Sequence, residues 1–124
     1  MSEAVQYSDK SPQKAKALPD PSGYRLLIAL PEVEESTAGG IIVPEERRDA
    51  EQVASVVGFV LKVGPEAYSD EKKFPDGPWC KEGDWIVMRA YSGTRLRVHG
   101  KEFRIINDDS VEAVIEDPRG VVRA

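Results

Sequence analysis

Few residues of this chain could do covalent chemistry. His99 is its only histidine and Cys80 its only cysteine. A Ser-His-Asp or Cys-His nucleophilic site would have to be built around that one imidazole. His99 stands next to Gly100, where a two-residue hairpin turn belongs, and a histidine beside a turn is ordinarily a surface residue. One thiolate and one imidazole cannot close a zinc site without carboxylates, and no pair of ligands stands at metal spacing. Asp108 and Asp109 are adjacent carboxylates. Neighbours in a turn rarely converge on one substrate atom, and turn chemistry accounts for them. The chain has no Walker loop and no strand-to-helix glycine fingerprint to cradle a nucleotide. We therefore expect no catalytic residue, no metal ligand and no cofactor, and a protein that is not an enzyme.

What must hold any functional group is a small β-structure. At 124 residues, 40% hydrophobic and 31% charged, the chain has the composition of a single folded domain. A formal charge of -5 argues against binding nucleic-acid phosphates. The apolar runs are too short to span a bilayer, and residues 1–20 lack the apolar core of a signal peptide. With one cysteine there is no internal disulfide framework, so a reducing cytoplasm is the expected setting. Residues 1–22 carry cancelling charges and no sustained period, which predicts a flexible extension.

From Tyr24 the period becomes two: Tyr24, Leu26, Ile28 and Leu30 on one face, Arg25, Leu27 and Ala29 on the other. The valine-rich run 53–63 predicts a long strand interrupted by Gly58, and residues 64–83 a loop or irregular hairpin. Shorter strands follow at 85–90 and from Thr94 to the His99-Gly100 turn. Beyond that turn Phe103 and Ile105 resume the apolar face, and Val111, Ala113 and Ile115 form the last strand after a turn at Asn107-Asp108-Asp109. Short strands punctuated by turns predict an all-β barrel or sandwich, with no convincing amphipathic helix.

One segment does not suit a plain barrel. Ile41, Ile42 and Val43 stand in a row between Gly39-Gly40 and Pro44, with Glu32, Glu34 and Glu35 before them and Glu45, Glu46, Arg47 and Arg48 after. A buried strand of three residues would leave the flanking charges to stay wet. An exposed apolar hook suits the pattern better. Burying three such side chains in a partner yields about 5–9 kcal/mol gross. Fixing a loop of about ten residues costs about 1–2 kcal/mol for each. One loop alone should bind poorly, and several on one assembly should bind well, because each docked loop concentrates the next.

Residues 37–44, Thr-Ala-Gly-Gly-Ile-Ile-Val-Pro, resemble the mobile-loop motif of GroES-type co-chaperonins. Residues 58–65 are similar to the family's strand ending in Val-Gly-Pro, and residues 81–87 to its Val-Gly-Asp turn and following strand. Tyr91-Ser92-Gly93-Thr94 matches a recurrent family tetrapeptide, and residues 105–116 look like its closing strand pair. The five blocks occur in the family's order.

The resemblance implies an irregular, partly open β-barrel over residues 23–117, with a mobile loop at about 32–50 and a roof hairpin at about 64–81. Residues 118–124 would be a short tail. It further implies a heptameric dome in which terminal strands pair between neighbours, giving the strand at Tyr24 and that at 111–115 an interface role. Gly39, Gly40, Ile41, Ile42 and Val43 would bind a GroEL-type chaperonin. Unfolded clients would be enclosed, and ATP would be bound by the chaperonin alone. No nucleic acid or membrane partner is implied. Departures from the family pattern include the N-terminal extension, Arg95 where glutamate is common, and Gly23-Tyr24-Arg25 at the start of the barrel. Such divergence suits a specialised or virus-encoded member, which would act in the host cytoplasm. The alternative is a structural or assembly-decorating protein on the same barrel.

Overall fold

The computed structural model of the protein describes residues 18–31, 36–37, 40–41 and 52–124. Among the described residues eight strands follow in chain order: β1 (Arg25–Ala29), β2 (Ser36–Thr37), β3 (Gly40–Ile41), β4 (Val57–Val63), β5 (Trp85–Met88), β6 (Thr94–Val98), β7 (Lys101–Asn107) and β8 (Val111–Ile115). A 3-10 turn, Asp108–Ser110, links the last two. β2 and β3 pair with each other, and the other six form one antiparallel sheet in the order β6-β7-β1-β4-β5-β8. β6 and β8 do not meet, so the sheet is not closed, in keeping with the expected partly open all-β barrel. Two bulges bend it. Leu61 is skipped where β4 passes Leu27 and Ile28, and Glu112 where β8 passes Val87 and Met88. An extra residue on one strand adds twist and curls the sheet around its inner face.

That inner face is the core. Leu26, Ile28 and Leu30 pack with Val60, Ile86, Met88, Ile106 and Val111. The alternation read from Leu26 to Leu30 is therefore the real one. Tyr24 is a correction: it precedes the strand and is about half exposed. The strand expected over 53–63 also starts later, because residues 52–54 make a single helical turn before β4 begins at Val57. Nor does Gly58 interrupt β4. It pairs with Ile86, and a Cβ there would come within 2.1 Å of Ile28 Cγ2. The glycine is required by packing across the sheet.

Two further expectations change. On β7 both faces are covered: Ile106 and Arg104 are buried as well as Phe103, and Ile105 is half-buried. On β8 the bulge splits the expected apolar face. Val111 lies beside Met88 in the core, while Ala113 and Ile115 stand opposite Val87 and Trp85, on the other side of the sheet. β1 is hydrogen-bonded on both edges, to β4 and β7. It therefore has no free edge for a neighbouring copy, and of the two strands expected at an interface only β8 is an edge strand.

Residues 64–84 consist of consecutive turns with no strand. They are fastened to the sheet by Tyr68, which sits at φ 61. Its N–H donates to Asp108 Oδ2 at 2.9 Å, and its hydroxyl donates to the Asp108 carbonyl at 2.8 Å. The ring meets Phe74 edge-on at 4.8 Å, and Phe74 meets Trp79 at 4.9 Å. Lys73 pairs with Asp109 over the same turn.

Candidate functional site

The segment carrying the apolar triplet lies in the chain between β1 and β4. Its start is fixed by Leu30, which is buried and whose N–H donates to the Glu102 carbonyl at 3.2 Å. Within it the antiparallel pairs are Ser36 with Ile41 and Thr37 with Gly40. Of the five expected binding residues, Gly40 and Ile41 form β3, a ribbon strand outside the main sheet. Gly39, Ile42 and Val43 lie outside the described residues.

Its end is built more heavily. In the turn at 52–54, Val56 N–H donates to the Val53 carbonyl at 3.0 Å, and Ser55 Oγ donates to the Gln52 carbonyl at 2.6 Å. Ala54 and Ser55 are both buried. Arg104 reaches across from β7 and donates from a terminal guanidinium nitrogen to the Ser55 carbonyl at 3.0 Å. Its side chain is only 1% exposed. Burial, with Arg95 on the paired strand, pushes its pKa below the usual value. A charge-assisted hydrogen bond from a buried cation to a backbone carbonyl strengthens the hold on the turn. Sequence reasoning missed Arg104, because in alternation it reads as the polar residue between Phe103 and Ile105.

The groups singled out for chemistry have structural positions. His99 and Gly100 occupy the centre of the β6–β7 hairpin with φ values of 51 and 79, between the paired Val98 and Lys101. Positive φ at both central residues is the type I′ arrangement that matches strand twist. Cys80 is buried, its sulfur 3.4 Å from the Tyr68 hydroxyl. Burial pushes the thiol pKa up, which keeps it protonated and a poor nucleophile. Asp108 is buried as an acceptor for Tyr68, and Asp109 is paired with Lys73. Among the described residues no cluster of three or more His, Cys, Asp or Glu side chains could hold a metal. No described helix is long and apolar enough to cross a membrane.

The family described as the chaperonin 10 kDa subunit, Cpn10, matches residues 19–115. The chain is 37% identical to a co-chaperonin GroES of Caldicellulosiruptor saccharolyticus over 97 residues, covering 78% of this chain and 96% of the relative. It is 35% identical to that of Clostridioides difficile over 96 residues, covering 77% and 96%. To that of Corynebacterium diphtheriae it is 33% identical over 92 residues, covering 74% and 88%.

Proposed function

Since the chain belongs to the Cpn10 family, the chaperonin 10 kDa subunits, we propose that it is the lid of a GroEL-type chaperonin. Seven copies assemble as a dome, and each presents Ile41, Ile42 and Val43 to an apolar groove on the ATP-loaded partner. Docking closes a chamber in which an unfolded client is held. The lid itself carries no catalytic residue and no cofactor; ATP stays with the chaperonin. It works in the cytoplasm, without nucleic acid or membrane.

The observation that carries this reading is a β2–β3 ribbon outside the main sheet, with Ile41 at one end of it. Anchors at Leu30 and Ser55 hold the two ends of the segment. Among the described residues the outer edge of β8 has no partner strand, which supports assembly, since the N–H and C=O groups of an edge strand can pair with another chain. Size-exclusion chromatography with a GroEL-type chaperonin tests the reading. Co-elution is expected with ATP and not without it, and the free protein should run as a ring. Ile42→Asp should abolish co-elution while circular dichroism stays unchanged, because a carboxylate entering an apolar groove lacks a partner. A folded wild-type chain that ignores the chaperonin in ATP would refute the proposal.

A further inference from the structure

The family match ends at residue 115, and the chain continues to Ala124. The sequence of this tail folds it back. Asp117 takes the Arg119 N–H at 2.9 Å and the Arg119 guanidinium at 2.6 Å. Val121 N–H then donates to the Pro118 carbonyl at 3.1 Å across Gly120, whose φ is 87. This is a type II turn, with the glycine at the position that needs positive φ. The reversal delivers Arg123 to Tyr91. Its guanidinium carbon lies 5.2 Å from the ring centroid, and a terminal nitrogen donates to the Tyr91 hydroxyl at 3.1 Å. The same nitrogen is 3.5 Å from Ser55 Oγ, a longer contact. Tyr91 is itself at φ 59, an unfavourable conformation for an aromatic residue, with its ring largely exposed.

Ser55 thus lies between two arginines. Arg104 holds its carbonyl from inside the sheet, and Arg123 approaches its hydroxyl from outside. We propose that residues 116–124 are a clasp, in which Arg123 joins Tyr91 to the 52–55 turn and so positions the base of the chaperonin-binding segment. Its effect on binding rests on the function proposed above. A fixed base limits the directions in which the segment can leave the sheet, which reduces the ordering cost on docking. Arg123 touches no chaperonin in this scheme and is a positioning residue.

The test uses the full chain and its variants Arg123→Ala and Arg123→Lys. Hydrogen exchange at the Ser55 and Val56 amides reads the clasp directly, without any chaperonin. One stacked cation and one exposed hydrogen bond predict exchange about threefold to tenfold faster in Arg123→Ala. Arg123→Lys, which keeps the charge but not the planar fork, should fall between. Amides of β1 and β7 should not change. Affinity for a GroEL-type chaperonin with ATP should drop on the order of threefold or more in Arg123→Ala. Unchanged exchange at Ser55 and Val56 overturns the clasp. Faster exchange with unchanged or tighter binding overturns the positioning role. If the wild-type chain does not bind the chaperonin, the proposed function fails, and the exchange result alone keeps or removes the clasp.

Discussion

Replacing Gly58 with alanine puts one methyl group where the structure has no room for it. The new Cβ would stand 2.1 Å from Ile28 Cγ2 and 3.3 Å from Met88 Cε. Carbon atoms in good contact are about 3.5–4.0 Å apart. Met88 can give by moving its flexible terminal methyl. Ile28 cannot: it is fully buried, its β-branched side chain is stiff, and its backbone is hydrogen-bonded to strands on both sides. Overpacking of this kind costs about 1–3 kcal/mol. Alanine's smaller conformational freedom in the unfolded chain offsets about 0.5–1 kcal/mol of that. With the clash against a rigid side chain placing the cost in the upper part of that range, a net loss of about 1–2 kcal/mol is expected. Ile28→Leu moves the branch from Cβ to Cγ and so removes the methyl that clashes, at a cost of its own below about 1.5 kcal/mol. The double variant should therefore be about 1 kcal/mol more stable than the sum of the single losses. Guanidinium unfolding at one fixed protomer concentration measures all four proteins, so that any assembly contributes equally. Additive losses, or a Gly58→Ala protein as stable as wild type, would refute the argument that contact with β1 reserves this position for glycine.

Tyr68→Phe keeps the ring against Phe74 but removes the donor to the Asp108 carbonyl, and should cost about 1–2 kcal/mol. A thermal midpoint equal to wild type would mean the hydroxyl contributes nothing. Arg95 and Arg97 each hold Glu102 at 2.6 Å and lower its carboxyl pKa from the ordinary range. The stabilisation is therefore present above the unfolded value of about 4.3 and lost as pH falls through the depressed folded value. Glu102→Gln should be less stable than wild type near neutrality, with the gap closing on acidification below about pH 4; a gap that is the same at pH 3 and pH 7 would contradict this.

The sheet is largely legible because its strands obey period two where neighbours are regular. The β6–β7 hairpin is the clearest case, since His99-Gly100 supplies the turn and Leu96 and Val98 alternate with arginines. Legibility fails where a bulge changes the count. On β8 the skipped Glu112 moves Ala113 and Ile115 to the face opposite Val111, and nothing local in those residues signals it. It fails again where burial is two-sided, as at Arg104, whose place under Ser55 depends on a residue 49 positions away. The 52–54 turn is hidden for a similar reason, since Val53 and Ala54 read equally well as strand. In the candidate site, the Gly39-Gly40 pair and the aliphatic triplet are visible as an oddity of composition. The anchors that hold the segment at Leu30 and Ser55 are long-range contacts and are not.

The position of Cys80 has a practical side. As the only thiol in the chain, buried within the 64–84 turns and held against Tyr68, it is closed to reagents while those turns stay docked. Any alkylation of the folded protein must then wait for that region to lift away. The native chain thus contains its own clock for local opening, read by mass spectrometry without a label. A second cysteine placed on an exposed strand such as β6 would accept a fluorophore selectively, with the natural thiol left in place and silent on the labelling timescale.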